Sequence, residues 1–236
     1  MARDNRSAID IVVTTRNRLH LLPRTINHIL TRTRSPYRLH VIDDRSENDL
    51  VRNYLLSLYE QGRIHNLVLR RYQAGQLSNL NVAVWLTYSD PVVLTDDDVL
   101  CPDVEPDWLA RGRKAMLRRP KLGVLALDHP GAARGDLKRP APDGVTYCSY
   151  VGGTFMFVRR EVLLTQPLPH HWHDFGTTPT TIRCQQARNN GWQIGYLTGT
   201  YCEHVGEISV LTNRAYRNSP FIPVKDEKTL EPIEGV

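Results

Sequence analysis

The feature that most constrains this chain is a regular alternation of two periodicities over its first hundred residues. Ile9–Thr15 (IDIVVTT) is a β-branched run with no breaker, the pattern of a strand buried on both faces. Leu19–Arg32 follows, with Leu22, Ile26, Ile29 and Leu30 on one helical face. Leu39–Asp43 reads as a second strand. Ser46 and Asp49, spaced like a capping box, then open a helix through Leu50, Tyr54, Leu55 and Leu58 that stops at Gly62. Val68–Leu69 gives a third strand, Leu77–Leu86 a third helix and Pro91–Thr95 a fourth strand. Strands separated by helices of ~10–15 residues build βαβ units and a mostly parallel sheet, so the fold class is α/β.

The second half is less regular. Residues 128–146, rich in Gly, Pro and charge, read as an exposed excursion. Tyr147–Val158 reads as strand with a break at Gly152-Gly153. Thr178–Asn190 reads as a helix ended by Gly191, and Trp192–Leu197 and Tyr201–His204 as strands. The tail from Asn218 is expected to lie on the surface. At ~150 residues per domain, 236 residues make one domain with an elaborated end.

Thirty Lys and Arg against twenty-five Asp and Glu leave +5, which favours anionic partners in general. The basic residues form no tract and do not interleave with aromatics, which argues against nucleic acid. No apolar run approaches the ~18 residues of a membrane span. The N-terminus MARDNRSAID lacks the apolar core of a secretion signal, so cytoplasmic residence is expected, with attachment at the membrane periphery left open. Four cysteines without CxxC spacing read as reduced thiols.

Three strand ends carry polar clusters. Asp96-Asp97-Asp98 follows the apolar strand Val92–Thr95, where ligands of open α/β sheets bind. Adjacent carboxylates repel, and a hard cation with substrate phosphates would compensate them; a solvated turn or a helix cap is the competing reading. Asp43-Asp44 ends strand two and can accept from a ribose or a base N–H, or simply form a turn. Thr14-Thr15-Arg16-Asn17 ends strand one with hydroxyls and a guanidinium, suited to a base and phosphate or to an ordinary loop.

In these segments the chain resembles the family 2 glycosyltransferases of GT-A fold, which transfer sugars from nucleotide-sugar donors. IDIVVTTRNRLHLL looks like that family's first strand and loop, LHVIDDRSEND like its VVDDGSTD segment, and VVLTDDDVLCPD like its DxD strand. YVGGTFMFVRREVL resembles its acceptor-side strand and helix start, and GWQIGYLTGTYCEHVGE its closing segment with a metal-proximal histidine. The resemblance spans about residues 8–207 and implies a Rossmann-like, mostly parallel sheet flanked by helices with a smaller, mixed acceptor-side sheet. Residues 8–127 would bind the nucleotide sugar, 128–207 would face the acceptor, and 208–236 would form a tail.

Carried over by residue, the resemblance gives Thr14 and Arg16 to the nucleobase end, Asp44 to the base or ribose, Asn81 to the donor phosphates and Asp96 to the ribose. Asp97, with Asp98, would hold Mn2+ or Mg2+ across the diphosphate, with His204 as a third ligand. The first DxD aspartate could also align with Thr95, and a lone histidine is more often a packed residue. Gly153 and its neighbour Gly152 would allow close backbone approach to the sugar or acceptor, although a β-bulge explains them as well. Inverting members of the family carry an acidic general base just before the helix that precedes the closing glycine. Here Pro179-Thr180-Thr181 stands in its place, and threonine takes no proton at neutral pH. The nearby HHWHDFG offers Asp174 as substitute base and His173 as second choice, against the plain reading of a His-rich surface turn.

The expectation is a metal-dependent glycosyltransferase of hexosyl type, acting from a nucleoside-diphosphate sugar on an acceptor that is a small molecule, a glycan or lipid-linked, with its stereochemical course open. The alternative is a nucleotide-sugar-binding module without transfer. A nucleotidyltransferase is disfavoured because TTRNRLHLL lacks a glycine-rich loop.

Overall fold

The computed structural model describes residues 8–129, 144–165, 179–206, 208–209 and 214–215. In chain order the elements are β1 (Ile9–Thr15), α1 (Leu22–Arg32), β2 (Tyr37–Asp43), α2 (Asp49–Glu60), β3 (Asn66–Leu69), α3 (Gly75–Leu86), β4 (Val92–Asp96) and β5 (Val99–Leu100). They continue with α4 (Trp108–Leu117), β6 (Leu122–Asp128), β7 (Val145–Tyr147), β8 (Met156–Val158), α5 (Arg160–Thr165), α6 (Pro179–Asn189), β9 (Gln193–Tyr201), β10 (Glu203–His204), β11 (Ile208–Ser209) and β12 (Arg214–Ala215).

Eight strands form one sheet in the order β3-β2-β1-β4-β8-β6-β9-β7. β1 pairs in parallel with β2 and β4, β2 with β3, and β6 with β9. β8, between β4 and β6, and β7, on the edge beside β9, run against the rest. Two small antiparallel sheets join β5 to β10 and β11 to β12. β1 is buried throughout because helices cover both faces of the sheet. On one face Leu22, Ile26 and Ile29 of α1, Val51 and Leu55 of α2, and Leu109 and Met116 of α4 pack on Ile11 and Val13. On the other, Leu77 and Leu80 of α3, Val162 and Leu163 of α5, and Cys184 and Ala187 of α6 pack on Val12 and Val124.

The first half follows the sequence pattern with one correction. Asn48, not Ser46, caps α2, its side chain accepting the Leu50 N–H at 2.9 Å. Ser46 is held instead by Asp43, to which its hydroxyl donates, and accepts the Asn17 N–H at 2.8 Å. The segment 147–158 is not one strand. β7 and β8 lie at different places in the sheet because the chain crosses it between them. Residues 193–201 form a single bulged strand, with Gly199 (φ +73°) at the irregularity. The cysteines are free thiols; Cys101, Cys184 and Cys202 are buried, and burial pushes these three up to about 12. Among the described residues no helix is long and apolar enough to cross a membrane.

Candidate active site

The site begins where β1, β2 and β4 end side by side. Their register sets Thr14 opposite Asp96 on one side and opposite Ile42 on the other. Asp96 closes β4 and β5 starts at Val99, so Asp97 and Asp98 form the turn between them. Asp96 is half-buried and accepts from Gln76 Nε2, in the first turn of α3, at 2.6 Å. Asp97 turns back to β1, accepting from Thr15 Oγ1 at 2.5 Å, while its carbonyl accepts from Thr25 Oγ1 of α1 at 2.8 Å. Arg18, in the loop after β1, lies with Nε 3.9 Å from Asp97 Oδ1 and a terminal nitrogen 3.5 Å from Asp98 Oδ2.

A second tier fixes the loops around this turn. Asp44 accepts the N–H groups of Ala74 and Gly75 at 2.7 and 2.9 Å, tying the end of β2 to the start of α3. Asn17, in the left-handed region at φ +56°, accepts the Glu47 N–H at 2.7 Å, and Arg16 bonds Glu47 at 3.1 Å. Thr14 is buried at the end of β1. Asn81 lies half-buried within α3, beyond the first-turn residue Gln76 that reaches Asp96.

The far wall comes from the second half of the chain. β10 pairs with β5, setting His204 opposite Val99, and His204 Nε2 lies 3.4 Å from Asp98 Oδ1. The Val205 N–H bonds the Asp98 carbonyl at 2.8 Å. Gly206 packs so closely that an added Cβ would lie 2.8 Å from the Asp98 Cβ and overlap its Oδ2. A Cβ on Gly153 would lie 2.6 Å from Asp96 Oδ2 and 3.5 Å from Thr180 Cγ2. The glycine therefore lets backbone approach the Asp96 carboxylate, and the first turn of α6 reaches the same spot through Thr180. Gly152 donates its N–H to the Tyr196 hydroxyl at 3.0 Å.

The electrostatics are those of an overcrowded anionic turn. Burial, then repulsion from Asp98 and Asp97, pushes the Asp96 carboxyl well above the usual range. Burial and Asp98 push Asp97 up to about 7, with Arg18 and the Thr15 hydroxyl opposing. Asp98 is 3% exposed, and its Oδ1 is buried without a hydrogen-bond partner. Among the described residues no three His, Cys, Asp or Glu side chains stand as a ready metal cluster. The donor set nonetheless fits a hard divalent cation: an unsatisfied buried carboxylate oxygen, an imidazole beside it and two further carboxylates in sequence.

Of the residues singled out from sequence, Asp97, Asp98 and His204 converge on this turn through Arg18 and Asp98, and Asp96 meets Gly153 beside Thr180. Asp44 and Arg16 stand in the neighbouring loops. Asp174 and His173 lie outside the described residues. Sequence reasoning missed Arg18, Gln76, Thr25 and Gly206. Arg18 follows the polar end of β1 directly, which was the available signal. Nothing local marked Gln76, Thr25 or Gly206.

The sequence profile of glycosyl transferase family 2 matches residues 10–164. Among solved structures the chain resembles the mannosyltransferase PcManGT from Pyrobaculum calidifontis in complex with GDP-Man and Mn2+, with a TM-score of 0.66 at 18% identity over 84% of this chain and 57% of that one. It resembles GalNAc-T7 with UDP, GalNAc and Mn2+ at a TM-score of 0.65 and 12% identity, covering 86% of this chain and 45% of that one. S. aureus TarS 1–349 in complex with UDP gives a TM-score of 0.62 and 14% identity, over 83% and 59%. The chain thus spans about half the length of the structures it matches. No curated protein sequence matches it.

Proposed function

The chain belongs to glycosyl transferase family 2, and from that premise we propose that it is a metal-dependent glycosyltransferase moving a sugar from a nucleoside-diphosphate sugar to an acceptor hydroxyl. Residues 8–127 form the donor-binding half and 128–207 the acceptor-side half. The observation that carries this reading is the Asp96–Asp98 turn at the carboxyl end of β4, with a buried, unsatisfied Asp98 oxygen beside His204. Similar folds crystallised with nucleotides or nucleotide sugars, two of them with Mn2+, support it.

In this reading Asp98 and His204 hold Mn2+ or Mg2+, with Asp97 adjoining. An ion held there would supply positive charge to a departing diphosphate. Thr15 and Thr25 keep the Asp97 segment fixed against β1 and α1. Thr14, Arg16 and Asp44 face the nucleoside, Asn81 the phosphates and Asp96 the ribose. Gly153 leaves room beside Asp96 for the sugar. Asp174, with His173 second, takes the acceptor proton. The reading places the protein in the cytoplasm, at the membrane periphery when its acceptor is lipid-linked.

A second reading is favoured by one observation. The α6 residue beside Gly153 is Thr180, which cannot act as a base. A nucleotide-sugar-binding module without transfer would look the same there. Nucleotide release from UDP- and GDP-sugars with Mn2+ and a panel of acceptors separates the two. Transferase activity predicts release that excess EDTA stops and Asp98→Asn lowers by ~10²–10³-fold. Binding without release over hours selects the module, and full turnover in EDTA contradicts metal dependence.

A further inference from the structure

Arg18 is the one cation the fold buries against the aspartate turn among the described residues. It is 7% exposed, with Nε 3.9 Å from Asp97 Oδ1 and a terminal nitrogen 3.5 Å from Asp98 Oδ2. Three adjacent carboxyl groups crowd around this one guanidinium, an excess of acidic groups that a divalent ion would offset. The carboxylates such an ion would approach already face Arg18, while Asp98 Oδ1 is left without a hydrogen-bond partner. Ion and guanidinium therefore draw on the same two carboxylates, the guanidinium from the side of Asp98 Oδ2 and the ion from the side of Oδ1 and His204.

We infer that Arg18 is the site's resident counter-cation, that it competes with the divalent ion for Asp97 and Asp98, and that the donor's diphosphate receives the guanidinium the ion displaces. The inference rests on the proposed function and deepens it. Two cations cannot share one carboxylate pair without repulsion, so the ion alone binds weakly. A diphosphate offers the freed guanidinium a new bidentate partner. Ion and nucleotide then bind cooperatively, and by linkage each strengthens the other equally. This arrangement would keep the site from filling with metal before a donor arrives.

The rival role is structural: Arg18 would pre-shape the carboxylates for the ion. The two roles predict opposite signs. Asp97 keeps its place without Arg18, because Thr15 and Thr25 hold its side chain and its carbonyl. Removing the guanidinium should then tighten metal binding.

The test is a titration with Mn2+ alone, reading the free ion by electron paramagnetic resonance, on wild type, Arg18→Met and Arg18→Lys, with circular dichroism to check folding. Competition predicts at least tenfold tighter Mn2+ binding by Arg18→Met and an intermediate value for Arg18→Lys, whose ammonium cannot span both carboxylates. Adding UDP should raise Mn2+ affinity more in wild type than in Arg18→Met. Equal or weaker Mn2+ binding by folded Arg18→Met overturns the inference, as does no binding by either protein. If Arg18→Met does not fold, unchanged or weaker binding by Arg18→Lys overturns it equally. Nucleotide-sugar turnover by wild type is measured separately, so a failure of the transferase reading appears there and not in the Mn2+ shift.

Discussion

Gly206 offers the sharpest structural test of how the turn is built. Replacing it by alanine puts a methyl 2.8 Å from the Asp98 Cβ and 2.5 Å from its Cγ, distances that real Cβ atoms do not show. Asp98 has little room to move, since it is 3% exposed and its carbonyl is bonded to the Val205 N–H at 2.8 Å. Overpacking of this kind costs about 1–3 kcal/mol. For a domain of this size each kcal/mol shifts the melting temperature ~2–4 °C, so Gly206→Ala should melt roughly 2–12 °C lower. The displaced carboxylate should also weaken Mn2+ binding by about tenfold or more, equivalent to ~1.4 kcal/mol. Gly152→Ala is the internal control. Among the described residues its added methyl meets only His129 Nε2, at 3.9 Å, an ordinary contact, and both readouts should stay near wild type. Thermal unfolding and Mn2+ titration of the two variants check this. A Gly206→Ala protein indistinguishable from Gly152→Ala would refute the packing of the β10 segment on Asp98.

Asp10, fully buried at the start of β1, accepts from Arg38 at 2.5 and 3.0 Å and from the N–H groups of Tyr88 and Ser89 at 2.6 and 2.8 Å. Burial opposes its charge, but these bonds and His40 outweigh burial and hold the carboxyl well below its ordinary range. Its stabilisation is therefore present above about pH 4 and lost as the pH falls from there toward its native value; Asp10→Asn should cost about 3 kcal/mol or more in urea unfolding at pH 7. Asp97 has the opposite sign. With its carboxyl at about 7, the metal-free fold should lose stability as the pH rises from 4 through 7, and Mn2+ should restore it at pH 8 more than at pH 5 in thermal unfolding. Asp174→Asn should lower sugar transfer by ~10²–10⁴-fold with nucleotide affinity unchanged in calorimetry; unchanged transfer would move the base role to His173 or elsewhere.

The parallel half of the fold was legible because β1 and β4 are almost wholly buried and α1 and α2 each show one apolar stripe. Residues such as Ile11, Val13, Ile26 and Leu55 need no tertiary knowledge to be placed in the core. The second half was harder because its strands owe their positions to pairing rather than pattern. Met156–Val158 is three residues long, yet it sits between β4 and β6, and nothing local to MFV specifies that. The same holds in the site. Asp96–Asp98 announced itself by composition. The sequence could not show that Thr25, seventy-two residues away, anchors the Asp97 carbonyl, or that Gln76 bonds Asp96. Those contacts arise where the first turns of α1 and α3 meet the end of β4 and the turn after it. Ser46 was misread as a cap because its spacing suited one, while Asn48 stood closer to the helix and Asp43 bound the serine first.

The central claim is that the aspartate turn couples a divalent cation to a nucleoside diphosphate. Calorimetric titration of UDP and GDP into wild type and Asp98→Asn, each with Mn2+ and with excess EDTA, tests it most directly. The account predicts binding of at least one nucleotide to wild type that requires Mn2+ and disappears in Asp98→Asn. Equal affinity in EDTA and in Mn2+, unaffected by Asp98→Asn, would contradict it.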